Sequence, residues 1–281
     1  MSMEYYVKNE GKDSICFGVK EGKLQWHISN EMMKRIPCSL DSFLMKPGKV
    51  YVDVKDSFYQ CTDIPSLAKK FLYLGCTLVI ILLPTTSLRH LKAQLPKFRE
   101  SLKHLPIDYM IAPHLSCSHL TPEMVRYAGY HKLPFISITK PINNRYPVWD
   151  WIKQAQGYYS TPIVPHYDPL DTSLIHDMKK QGIYTLDTPL QQLPLTKDSL
   201  KKTGISPKKG ELYNNKDADF NLFLEEDVNG KNLSDSSDYH SAIPSVTVLR
   251  GKVIRSGTEL LDIPGFGEYY TGTSPNLFRS S

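Results

Sequence analysis

With 281 residues, 41% hydrophobic and 22% charged, the chain can bury a substantial core and has the composition of an ordinary globular protein. A net charge of +5 is mild, and the Lys-Lys pairs are scattered with no basic stripe interleaved with aromatics, which argues against a nucleic-acid binder. The longest apolar run, 78–83 within "CTLVIILLP", is far short of the ~20 residues of a membrane helix, so no membrane segment is expected.

The opening "MSMEYYVKNEGKDS" lacks the apolar core of a signal peptide. Five cysteines without a C-x-x-C argue against a disulfide frame or a zinc ribbon. A cytoplasmic location is the expectation.

Residues 1–45 read as short strands punctuated by Gly11 and Gly22. "PGKVYVDVKD" then turns at Pro47-Gly48 into a strand over 50–54 that runs into Asp53, Lys55 and Asp56. A helix follows from about Asp63, with Pro65 in its first turn and Leu67, Ala68, Phe71, Leu72 and Leu74 on one face. The alternation continues with strand 77–83, helix 88–104 and strand 108–112. A helix from Thr121, strand 135–138, helix 147–156, strand "TPIVP" and helix 173–181 complete it. Successive βα units imply a parallel sheet, doubly wound or barrel-like. Past Thr185 a connector with one short helix leads to "DADFNLFLEED" and to a hairpin in "SVTVLRGKVIRSGTELL", turning at Gly251 or Gly257.

Strands at both ends flanking a βα core prompt a comparison. "GISPKKGELYNNKDADFNLFL" resembles the segment by which amidohydrolase-superfamily enzymes return from their barrel to a small β-domain. "SVTVLRGKVIRSGTELLDIPGFGEYY" is similar to the closing hairpin of the dihydropyrimidinase, allantoinase and dihydroorotase branch. "LMKPGKVYVDV" stands in the place of its Pro-Gly-x-Ile-Asp-x-His-x-His, and "LAKKFLYLGCTLVIILLP" resembles its next helix and strand. The resemblance implies an incomplete TIM-like (β/α) barrel over 47–203. A small β-domain would form from 1–46 and 204–270, with a tail at 271–281.

The family's barrel carries two metal-binding histidines on its first strand and a bridging carbamylated lysine on the fourth. Histidines on the fifth and sixth strands and an aspartate on the eighth complete the site, where metal-bound water becomes a nucleophile. Here Asp53 and Lys55 occupy the His-x-His positions, and an ammonium group cannot ligate a cation. The lysine strand reads Phe-Ile-Ser-Ile, with Lys140 beyond it. His166 in "IVPHYD" matches the fifth-strand histidine, but only 37 residues (167–203) separate it from Gly204, too few for the remaining strands.

His166 with Asp168 is the best surviving fragment, against the plain alternative of a strand-end histidine satisfied by backbone. Asp53, Lys55 and Asp56 read as a compensated charge cluster, the alternative being a Lys-centred site or a reduced single-metal site using Asp53, His114 and His166. "HLSCSH" (His114, Cys117, His119) is placed in a loop and matches no ligand signature. Trp149 and Trp151 diverge on a helix, so one of them marks a contact surface. No Gly-x-Ser-x-Gly elbow or Walker loop is present.

The leading expectation is a non-catalytic, cofactor-free member of this fold that binds a protein or ligand. It would form a homodimer, or a complex with another protein, through the open side of the shortened barrel. The rival is a hydrolase of cyclic amide C–N bonds with one zinc or manganese ion, using Asp53, His166 and Asp168. A third reading is small-molecule sensing in the vestigial cleft.

Overall fold

The computed structural model describes residues 4–8, 16–34, 37–55, 57–141, 145–166, 173–228, 236–261 and 263–273. They fall into two compact units. One takes residues up to 50, 68–78 and 207–263, and the other 51–67, 79–206 and the segment from 264 onward.

The first unit begins with β1 (Glu4–Lys8), β2 (Cys16–Lys20), β3 (Lys23–Gln25), α1 (Asn30–Met33), β4 (Cys38–Ser39) and β5 (Phe43–Pro47). β1 pairs antiparallel with β2, β2 with β3, and β4 lies parallel to β1.

The chain then enters β6 (Lys49–Asp53) through Gly48, where a Cβ would lie 2.2 Å from Thr77 Oγ1 and only glycine fits. There follow α2 (Ser57–Gln60), α3 (Ile64–Tyr73), β7 (Cys76–Pro84), α4 (Leu88–Ser101), β8 (Asp108–Ser116), α5 (Pro122–Tyr130), β9 (Ile136–Thr139), α6 (Trp149–Tyr159), β10 (Ile163–Pro165), α7 (Ser173–Lys180) and α8 (Lys197–Lys202). The strands lie side by side in chain order, β10-β9-β8-β7-β6, as a curled parallel half-barrel. Cys76 to Leu83 are fully buried, the mark of a parallel strand covered on both faces. Hydroxyls start the helices: Ser87 accepts the His90 N–H at 3.1 Å, and Thr121, with Pro122 behind it, accepts that of Met124 at 3.3 Å.

Two expectations change here. β8 runs four residues further than predicted, because residues 114–116 pair with 137–139 of β9. His114 is therefore a strand residue, and only Cys117–His119 form the turn that follows. The outer side of β10 is also not bare. Ile163 donates to the Tyr184 carbonyl at 3.0 Å, Leu190 donates to that of Pro165 at 3.2 Å, and His166 forms a parallel bridge with Leu190. The connector after Thr185 thus borders the edge expected to lie open.

Returning to the first unit, β11 (Phe220–Leu224), α9 (Ser236–Ser241), β12 (Val246–Leu249), β13 (Lys252–Ser256) and β14 (Glu259–Leu260) complete a sheet of order β14-β13-β12-β11-β5. Its edge strand β5 comes from the N-terminal part, with Met45 opposite Leu222. Val7, Phe17, Val19 and Leu24 share one core with Ala218, Phe220, Leu222 and Val248, so both ends of the chain build this small β-domain. Lys209, 1% exposed, sits between Asp219 at 2.6 Å and Asp217 at 2.8 Å.

Residues 264–273 then strap the second unit. Gly267 donates to the Leu105 carbonyl, Tyr109 to that of Glu268, Tyr270 to that of Tyr109, and Thr273 to that of Gly204, all at 2.7–2.9 Å. A Cβ at Gly267 would fall 2.0 Å from the Ile107 carbonyl oxygen.

Candidate functional site

The strand ends that follow Asp53, Pro84, Ser116, Thr139 and Pro165 form the carboxyl edge of the half-barrel, where α/β barrels carry their chemistry. Asp53 closes β6. It is buried, and its Oδ2 accepts the Phe58 N–H at 2.8 Å, so the carboxylate starts α2 and satisfies an otherwise orphaned donor. Lys55 is exposed in the turn beyond the strand. Asp56 and Asp168 lie outside the described residues.

Register brings the histidines together. His114 pairs with Ser137 across β8 and β9, and the next strand sets Val164 opposite Ser137, so the residue after Pro165 emerges beside His114. The His114 and His166 rings stand 5.2 Å apart, tilted by 57°. His114 Nδ1 is 2.9 Å from Ser137 Oγ, and the His166 N–H donates to the Ile138 carbonyl at 2.7 Å. Burial pulls the His114 pKa down, so its imidazole is neutral near pH 7. Ser137 can serve either tautomer: if it accepts the Nδ1 proton, Nε2 is left as an acceptor; if it donates, Nε2 carries the proton.

Hydroxyl groups continue along the edge. Thr85 donates its N–H to the His114 carbonyl at 2.8 Å, and its Oγ1 lies 3.2 Å from His90 Nδ1. Ser116 Oγ donates to the Lys140 carbonyl at 3.0 Å. This is a row of imidazoles and hydroxyls, suited to hydrogen-bonding a polar ligand.

The binuclear metal centre implied by the resemblance does not fit these residues. One Asp53 oxygen is taken by the Phe58 N–H, Lys55 offers an ammonium group, and β9 presents Ser137 where a lysine would bridge. Among the described residues, no three His, Cys, Asp or Glu ligand atoms within 4.8 Å of one another include Asp53, His114 or His166. The structure therefore joins His114 to His166 and leaves Asp53 outside their cluster. Ser137 is not legible as a site residue from its strand alone; its place beside His114 follows from the register of β8 and β9. Cys117 is buried, and its thiol is pushed up to about 12, which makes it inert.

No protein-family model and no curated protein matches the sequence. Solved structures do match the fold. A dihydropyrimidinase from Brevibacillus agri superposes with a TM-score of 0.61 at 10% identity, covering 97% of this chain and 99% of that one. An L-hydantoinase from Arthrobacter aurescens gives 0.56 at 14%, covering 94% and 97%. A triazine hydrolase from Arthobacter aurescens gives 0.52 at 10%, covering 92% and 96%. The chain thus shares the fold of these dihydropyrimidinase, hydantoinase and triazine hydrolase structures, with a small β-domain and a shortened parallel barrel.

Proposed function

We propose that the chain binds a small polar ligand or a protein partner at the carboxyl edge of its half-barrel and does not hydrolyse it. The observation that carries this reading is the Asp53–Phe58 contact. The strand that should present two metal-binding side chains presents one carboxylate used for helix capping and one exposed ammonium group. Exposed Tyr146, Val148 and Trp151, at the start of α6, support a macromolecular contact at this end, with a second copy or another protein as the partner. Five free thiols agree with a reducing, cytoplasmic setting. Among the described residues, no helix is long and apolar enough to cross a membrane.

A second reading rests on the His114–His166 pair. One zinc or manganese ion held by these imidazoles would supply Lewis-acid chemistry for opening a cyclic amide, the kind of ring the hydantoinase and dihydropyrimidinase names denote. Ser137 would then fix the His114 tautomer.

Incubating the whole chain with zinc or manganese and with hydantoin and dihydropyrimidine rings separates the two. The binding reading expects thermal stabilisation by such rings without ring opening. Metal-dependent ring opening that disappears in His166→Ala would overturn it in favour of the second.

A further inference from the structure

The second unit carries another concavity, a cleft of about 700 Å³ between α4, α5 and the 264–273 strap. Tyr109 lines it from the start of β8. That is five residues before His114, about 16 Å along an extended strand, so the cleft and the histidine pair are separate places.

The floor of the cleft is aromatic. The strap bridges Tyr269 to Tyr109, whose rings lie 5.7 Å apart, and Tyr127 packs on His131 at 4.2 Å. Burial raises the Tyr109, Tyr127 and Tyr269 phenols, so they remain protonated donors at physiological pH.

The rim is cationic. The Arg99 guanidinium lies 4.4 Å over the Tyr269 ring, and Lys103 lines the same cleft; Lys92, outside the lining, holds its ammonium 5.4 Å from the Tyr127 ring. Among the described lining residues the acidic side chain is Glu100, and Lys103 neutralises it. The exposed Arg99 guanidinium is in cation–π contact with Tyr269, and among the described residues no side chain pairs with it. A guanidinium over an aromatic ring keeps a fork of N–H donors that matches a carboxylate or phosphate. The volume is within the range of small-molecule sites.

We propose that this cleft binds a small anion built on a planar aromatic ring, with the ring on the tyrosine floor and the phosphate or carboxylate on Arg99. A nucleotide and an aryl carboxylic acid share that chemistry.

The test is calorimetric titration of the whole chain with adenosine monophosphate and, separately, 4-hydroxybenzoate, at low and high salt. At least one is expected to bind, more weakly as salt rises. Arg99→Lys, which keeps the charge and loses the fork, should weaken binding about tenfold. Tyr269→Leu should weaken it as well, and His166→Ala should leave it unchanged. Binding of the nucleotide alone identifies phosphate as the anion, and binding of the benzoate alone identifies carboxylate. The proposal is overturned if neither binds at millimolar concentration, if Arg99→Lys binds as the parent does, or if affinity is indifferent to salt.

Discussion

The Lys49 ammonium donates to the Ala242 carbonyl at 2.6 Å, from a side chain only 2% exposed at the start of β6. It also reaches the His240 carbonyl at 3.3 Å and lies 5.1 Å from the Tyr239 ring, while the Tyr239 hydroxyl donates to the Pro47 carbonyl. Among the described residues no carboxylate pairs with it, and burial pulls its pKa down to about 8. Between that value and 10.5 the unfolded chain holds more protons than the folded one, so this residue makes stability rise with pH. Cys117, with its pKa pushed up to about 12, acts in the opposite direction above pH 9. The window to examine is therefore pH 8–9. There the unfolding free energy of the parent should gain up to about 1 kcal/mol relative to Lys49→Met. Parallel denaturation curves for the two proteins across that window would refute the assignment.

Lys209 is buried between two aspartates, and Asp219 also accepts the Arg250 N–H at 2.8 Å. Removing the cation strands two carboxylates in the β-domain. Lys209→Ala should cost about 3–5 kcal/mol, measured by urea unfolding. A loss well below 1 kcal/mol would mean that water reaches the site.

For Asp53, the capping role predicts a difference between two substitutions. Asp53→Ala should lose about 1 kcal/mol, whereas Asp53→Asn, whose amide oxygen still accepts the Phe58 N–H, should lose only a few tenths. If the carboxylate instead held a cation, Asn would be as damaging as Ala in a zinc titration. Equal metal uptake by all three proteins is the expected result.

Gly267→Ala drives a methyl group against the Ile107 carbonyl, and backbone must move to admit it. A loss of about 1–3 kcal/mol in thermal or chemical unfolding is expected. Weaker ligand binding in the tyrosine cleft should accompany it, since the strap carries Tyr269. Unchanged stability would show that the strap is not fixed where Gly267 meets Ile107.

The alternation of strands and helices from 50 to 181 was legible because each buried parallel strand is a short apolar run closed by turn residues, as "CTLVIILLP" shows. The β-domain was legible only by resemblance, since nothing local tells Met45 that it will face Leu222. His114 and His166 were visible together as candidates for one site with Asp53, whereas the strand pairing that brings the two rings together was not. That contact depends on β8 extending to Ser116, and polar "HLS" reads as a loop until β9 supplies its hydrogen-bond partners. The border of β10 was missed for the same reason. Tyr184 and Leu190 contribute single backbone bonds without any strand-like periodicity.

Residues 264–273 meet Leu105, Tyr109 and Gly204, all of which are made well before them. Glu268 follows its partner Asp108 by 160 residues, roughly 8–30 s of synthesis on a ribosome. Until then the starting end of β8 lacks its covering segment, so the half-barrel waits as a partly clothed intermediate during translation. A chain released at residue 263 should bind hydrophobic dyes and recover poorly from denaturant. A chain that includes the strap should pass through that state once, and a chaperone would find it there.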